Sequence, residues 1–394
     1  MEVLLLFALV ALVVWLSAKH WAGVMEQRQH DQREWLAAAE ALQLKASGGE
    51  DRRSIAGQIR GVPAHVTFVR ERRGVGKSSR VVEATTFVAG GDGRIPRSLT
   101  LTEGAPEGFI AGLIAGIDDP GATTGDEEFD SRVGLPNMNA HVCAALSEKA
   151  REQLTTFVHG GGRVARGAVQ WPLEGVEHPD RQWLIDRIED VVTLAELLSV
   201  TTDTLAQRLA HNATHDSDPD VRLRNLSFLV ASETHAPREL IATTARALLD
   251  DPLRPIRFHS ARQLGSEGHA TLRGLTTDEH AAPALRAQAL GALHEGNAAD
   301  IDQWLAPFLT PSPLELTRAA LGVVAARRLS IHTDRVIALT SAADASLRVA
   351  AARTLSMLES AQVEPALLRL LADEESEVQT ATAEALGSVG SVSA

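Results

Sequence analysis

In the C-terminal half of the chain, small and apolar residues recur at offsets of three, four and seven, and the pattern restarts at a nearly fixed interval. The segments are DPDVRLRNLSFL around Arg222, DPLRPIRFHSARQLG around Arg257, APALRAQALGAL around Arg286, LELTRAALGVVAA around Arg318, ASLRVAAARTLSML around Arg348 and ESEVQTATAEALGSVG around Gln379. Successive centres lie 35, 29, 32, 30 and 31 residues apart. Offsets of three, four and seven fall on one face of a helix. An interval near thirty is the length of one helix pair with its turns, so the pattern predicts stacked helix pairs, an α-solenoid.

The residues inside each segment give physical reasons for the stack. Val221, Ile256, Leu285, Thr317, Leu347 and Val378 each precede the central position. Ser260, Ala261 and Leu264 follow it in the second segment, Ala351, Ala352 and Leu355 in the fifth, and Thr382, Ala383 and Leu386 in the sixth. Small residues permit close helix approach, and the Leu fills the space between repeats. Asp218-Pro219 and Asp251-Pro252 read as helix starts, because Asp accepts from orphan N–H groups and Pro suits the first turn. Gly265 and Gly387 read as helix stops. Companion helices are predicted over Pro237–Leu249, Asp302–Leu309, Thr333–Leu339 and Val363–Leu371. The fourth segment departs by placing Thr317 and Gly322 at core positions, and the sixth by replacing Arg with Gln379.

The pattern D-x-x-V-R-x-x-A-A-x-x-L-G resembles the HEAT repeat, in particular its short bacterial, PBS-lyase-like form. The resemblance covers about residues 206–394. It implies an interaction architecture, and since the family includes scaffolds, regulators and chromophore lyases, it does not imply one activity.

The N-terminal half differs. Val3–Ala18 is an uncharged apolar run, which predicts an uncleaved transmembrane anchor over residues 1–22. Lys19, Arg28 and Arg33 follow it and no Lys or Arg precedes it, which predicts a single-pass protein of the cytoplasmic membrane with its bulk in the cytoplasm. Residues 23–49 read as a helical stalk with Trp35, Leu36, Ala39 and Leu42 on one side. Residues 50–205 read as a small α+β domain of unknown type. Its strands are expected at Ile55–Ile59, Ala64–Val69, Arg80–Val88 and Ser98–Leu101, with helices at Ser147–Thr156 and about Asp180–Leu209 and a strand–turn–strand through Phe157–Gln170. This layout resembles that of uncharacterised bacterial membrane-anchored domains, through Leu36–Leu44, Gly57–Pro63 and Thr124–Val133. There Phe129 is expected to pack in the core and Asp130 to turn the backbone. The predicted class is thus mainly α: an anchor, a small α+β domain, and a solenoid of about six helix pairs over residues 206–394.

Composition narrows the function. The net charge of −13 and pI near 5.5 argue against a general nucleic-acid binder. Tyr is absent, so platforms for stacking bases or sugars are few. The single cysteine, Cys143, excludes an intrachain disulfide and a Cys-rich zinc site.

Four motifs call for comparison with known chemistry. Gly74-Val75-Gly76-Lys77-Ser78-Ser79 lacks the glycine that a phosphate-binding loop needs at position 71, which is Glu71, and reads as a turn. His159-Gly160-Gly161-Gly162 is an oxyanion-loop pattern without any G-x-S-x-G nucleophile, and reads as a glycine turn. His141 and Cys143 would share a strand face, but no third group marks a catalytic dyad, so a structural cysteine is expected. His211 and His215, with Asp216 and Asp218 nearby, could share a helix face and hold a metal, but the run also reads as a helix end followed by a cap. No catalytic, cofactor or metal residue is therefore assigned. The expected function is a membrane-anchored scaffold or adaptor that binds a protein partner through its solenoid, along the concave face carrying the second helices. Arg222, Arg257, Arg286, Arg318 and Arg348 are the candidate contacts, unless each instead pairs with a carboxylate of the adjacent repeat. The alternative is a lyase-like enzyme with its site between the α+β domain and the solenoid.

Overall fold

The computed structural model describes residues 2–73, 80–101, 123–175, 179–298 and 300–392, with side chains from Ala11 to Val389. The chain forms two compact units, Met1–Ala236 and Pro237–Ala394.

The first unit begins with one unbroken helix, α1, over Glu2–Ala41. The expected membrane anchor is not supported: among the described residues no helix is long and apolar enough to cross a membrane. The apolar run Val3–Ala18 ends at Lys19 and His20. A helix rises about 1.5 Å per residue, so the run spans roughly 24 Å, short of a hydrocarbon core of roughly 30 Å. The single-pass localisation, the membrane contact through residues 1–22 and the cytoplasmic orientation that depended on them go with it.

Downstream, α1 has a packing role. Trp35, Ala38 and Ala39 are buried. Trp35 meets Phe68 edge-on at 6.3 Å between ring centroids, and the buried Arg53 guanidinium lies 4.4 Å from the Phe68 ring centroid. The strands are β1 (Lys45–Gly48), β2 (Arg52–Ile59), β3 (Val62–Arg73), β4 (Arg80–Gly90), β5 (Arg163–Ala165) and β6 (Ala168–Glu174). They form an antiparallel sheet in the order β1-β2-β3-β4-β6-β5. Alternation places Val62, Ala64, Val66 and Phe68 of β3 and Phe87 and Ala89 of β4 in the core. The expected strand at Ser98–Leu101 reduces to a single bridge between Leu101 and Val164.

The helices of this unit are α2 (Glu127–Arg132), α3 (Ala140–Ala145), α4 (Glu148–His159), α5 (Arg181–Leu198), α6 (Thr202–His215) and α7 (Pro219–Val230). Helix α5 packs on β3, β4 and β6, with Trp183 edge-on to Phe87 at 5.6 Å. The single long helix expected over 180–209 is two helices. Thr201 and Thr204 form a capping box that starts a new helix after Leu198.

The second unit stacks helix pairs. Its helices are α8 (Arg238–Ala247), α9 (Arg254–Gln263), α10 (His269–Thr277), α11 (Pro283–Glu295), α12 (Ile301–Trp304), α13 (Leu314–Arg327), α14 (Thr333–Leu339), α15 (Ala345–Leu355), α16 (Val363–Leu370) and α17 (Ser376–Val392). The second helices of successive pairs pack on one another, α11 on α13, α13 on α15 and α15 on α17. Their inward residues, including Leu290, Leu293, Leu321, Val324, Ala352 and Leu355, form one continuous apolar core. The predicted core positions of the fifth segment are all fully buried. In the sixth, Ala381, Thr382 and Ala385 are buried while Ala383 is exposed, a shift of one position, and α17 runs through Gly387 to Val392. Buried Thr317 is satisfied by donating its hydroxyl to the carbonyls of Thr310 and Pro313.

Candidate functional site

The recurring arginines sit one turn into each second helix. Arg222 donates Nη1 to the carbonyls of Asp216 and Ser217 at 3.0 and 3.1 Å. Arg286 donates Nε to the Thr276 carbonyl at 2.9 Å. Arg348 is buried and donates Nη1 to the carbonyls of Ala342 and Ala343 at 2.9 and 3.0 Å. Gln379 makes the equivalent bond, Nε2 to the Asp373 carbonyl at 2.6 Å. At Arg222, Arg348 and Gln379 the position thus supplies a donor that ties down the loop before its own helix, and at Arg286 one that holds the end of α10, which explains how Gln can replace Arg there.

Arg348 adds a second task. Its Nε and Nη2 grip both oxygens of Asp373, in the loop of the next repeat, at 2.8 and 2.9 Å. The Arg348 hydrogen bond is the main cause holding the Asp373 carboxyl below the usual carboxylate range. Arg257 and Arg318 differ. Arg257 is half-buried, and its buried Nε has no hydrogen-bond partner among the described residues. Arg318 is exposed. Asp344, the N-cap of α15, is held low mainly by the Ser346 hydroxyl, with Arg318 adding a smaller pull.

The same construction appears earlier than the sequence pattern suggested. Arg151 on α4 donates Nη1 to the Leu146 carbonyl at 3.0 Å and clasps both Asp216 oxygens at 2.9 and 3.0 Å. Its Nε reaches Asp126 at 2.7 Å. The Arg151 and Asp216 side chains are 3% and 1% exposed, so this is a buried pair. Asp216 stands six residues before Arg222, as Asp373 stands six before Gln379. That shared offset, together with Ala150 before Arg151 and Leu154 and Val158 after it, was the available signal. Next to it, Phe129 is buried and Asp130 accepts from the Thr124 and Gly125 backbone at 2.9 and 3.1 Å, folding the turn before α2. Burial pushes the Asp130 carboxyl up.

The other candidate motifs resolve individually. Residues 74–79 lie outside the described residues. His159–Gly162 forms the turn between α4 and β5, where Gly161 has φ +82° and a Cβ on Gly162 would strike the Phe157 ring at 2.4 Å. His141 and Cys143 are on a helix, not a strand. Two helical positions apart point to nearly opposite sides, and His141 is exposed while Cys143 is buried. Burial pushes the Cys143 thiol up to about 12. Cys143 is therefore expected to resist iodoacetamide at neutral pH in the folded protein and to react at the normal rate once denaturant unfolds the chain. Rapid alkylation of the native protein would contradict this placement. His211 and His215 share a face of α6, their rings stacked at 4.3 Å. Among the described residues no cluster of three or more His, Cys, Asp or Glu could hold a metal.

Cavities among the described residues offer places for a ligand, including one of about 930 Å³ beside α2 and α7 and two others. One, of about 490 Å³, lies between neighbouring pairs of the second unit and is lined by Glu279, Arg286, Trp304, Pro307, Phe308 and Pro313 among others. Trp304 stands edge-on to Phe308 at 4.9 Å. The other, of about 500 Å³ in the first unit, lies between the N-terminus of α4 and one face of α6.

A family model for HEAT repeats matches residues 333–394. That span contains α14 to α17, whose stacking is described above. No curated protein matches the chain.

Proposed function

We propose that the protein is an interaction scaffold whose stacked helix pairs present a pocket at Arg286, Trp304 and Phe308 to a protein partner. The match to HEAT repeats and the solenoid-like stack support an interaction role in general. The observation that carries the finer reading is that pocket. It pairs a half-buried tryptophan with an arginine that donates to a backbone carbonyl and has no carboxylate partner among the described residues, and aromatic–Arg pockets are where binding energy concentrates. The partner segment that fits would insert an apolar side chain against Trp304 and Phe308 and place a carboxylate near Arg286. Arg257, which has no carboxylate partner among the described residues, and the exposed Arg318 extend this reading to neighbouring repeats. Arg222 and Arg348 are read as holding loops and repeats together.

The test is crosslinking from a photoreactive residue placed at Glu279, with the intact protein in its native cells. Trp304→Ala and, separately, the charge reversal Arg286→Glu should each weaken recovery of one defined partner by about thirty-fold in affinity. Arg369→Gln, on an exposed site elsewhere in the stack, should leave recovery unchanged. Equal recovery with all three variants would remove the pocket from the interface.

A further inference from the structure

The cavity of the first unit has a different character from the partner pocket, and its features do not depend on the scaffold reading. One wall is a single face of α6 carrying Thr204, Gln207, Arg208, His211 and His215, at offsets that keep them aligned. The opposite wall is the first turn of α4, with Ser147 and Lys149. Arg208 is half-buried and donates Nη1 to the Leu197 carbonyl at 2.6 Å. It has no carboxylate partner among the described residues, and burial pushes its pKa below the usual guanidinium value. A guanidinium has five N–H donors, so most of its capacity is unspent. Lys149 likewise has no carboxylate partner among the described residues. Ser147, the N-cap of α4, makes no side-chain bond to the first turn, which leaves that turn's N–H groups without a side-chain acceptor.

Two carboxylates also line the cavity, and neither cancels this charge. Asp216 is spent on Arg151, which takes both its oxygens. Glu148 accepts the Ser217 hydroxyl and opposes one of the two cations, leaving a net positive wall. We propose that this cavity binds a small phosphate-bearing anion, with the Arg208 fork and Lys149 holding its oxygens and the first turn of α4 completing the cradle. A volume of about 500 Å³ suits a small phosphorylated metabolite. A long polyanion is disfavoured by the whole chain's net charge of −13. A short one feels mainly the cavity, since the Debye length is about 8 Å at physiological salt.

Calorimetric titration of the full chain with pyrophosphate and with inorganic phosphate, at matched ionic strength in chloride, tests the proposal. Saturable binding of pyrophosphate is expected, with Arg208→Gln and Lys149→Glu each weakening it about ten-fold or more. Lys149 is exposed, so its variant should keep the parent's circular dichroism and thermal midpoint, and it guards against an Arg208 variant that fails to fold. Arg369→Gln in the other unit should bind as the parent does. Absence of saturable heat with both anions would overturn the proposal, as would unchanged affinity in the Lys149 variant. Binding of a phosphoserine peptide alone, with both free anions silent, would also overturn it in favour of a macromolecular ligand.

Discussion

Replacing Arg151 by Leu is expected to cost about 3–5 kcal/mol of unfolding free energy, because it leaves the Asp216 carboxylate buried without its partner. Asp216 is 1% exposed, and both its side-chain oxygens are taken up by the Arg151 guanidinium. The same change also frees the Leu146 carbonyl and the Asp126 carboxylate. The double variant Arg151→Leu, Asp216→Leu removes both charges and should recover a substantial part of the loss, since a buried pair is often worth little against apolar replacements. Denaturant unfolding followed by the circular dichroism of both single variants and the double variant completes the cycle. A single-variant loss below about 1 kcal/mol would mean that water reaches the pair, because exposed pairs are worth no more than that. The neighbouring Asp126 adds a pH signature. Burial pushes its carboxyl up, but the Phe129 N–H and Arg151 outweigh it and the net shift is downward. A depressed folded pKa gives stability that is present above the unfolded value, about 3.9, and is lost as pH falls through the lower folded value. Acid unfolding below about pH 4 should therefore be less steep in Arg151→Leu than in the parent.

The parts of the fold that could be read from sequence were those where local chemistry and packing agree. Thr333–Leu339 and the core face of α15 follow directly from the offsets of three, four and seven, because small residues there have one way to approach the next helix. Reading failed where a short polar signal had to outweigh a long apolar one. The Thr201–Thr204 capping box divides what hydrophobic periodicity joined into one helix. His141 and Cys143 alternate as on a strand, but Asn139 caps a six-residue helix by accepting from the His141 and Val142 N–H groups. At the N-terminus the count of apolar residues in Val3–Ala18 pointed to a bilayer, whereas α1 continues past Lys19 to bury Trp35, Ala38 and Ala39. The candidate sites were legible in a narrower sense. The arginine positions were visible as a phase, but their bonding was not: Arg348 meets a carboxylate and Arg286 a carbonyl from the same place in the repeat. The Arg208 wall is hidden in the sequence because the start of α6 reads there as the tail of a longer helix. Trp304 was hidden because a lone tryptophan has no periodicity.

Leu355→Ala is expected to cost about 2–5 kcal/mol, and Leu355→Asp more, with the damage confined to one end of the second unit. Leu355 is fully buried at the end of α15, within the apolar core that runs through the stack. Helix α15 packs on α13 before it and α17 after it, so its core residues serve two interfaces. Stability in a stack of repeats is a sum of each repeat's own stability and its nearest-neighbour contacts. Loss at Leu355 should therefore weaken α13, α15 and α17 and fade toward α9, while the antiparallel sheet of the first unit keeps its protection. Hydrogen exchange of the Leu355→Asp variant resolves this residue by residue. Faster exchange confined to about residues 310–392 is the signature of a linear stack. Loss of protection spread evenly through β2, β3 and β4 as well would mean that the chain unfolds as one cooperative body, and the nearest-neighbour description of the repeats would then have to be abandoned.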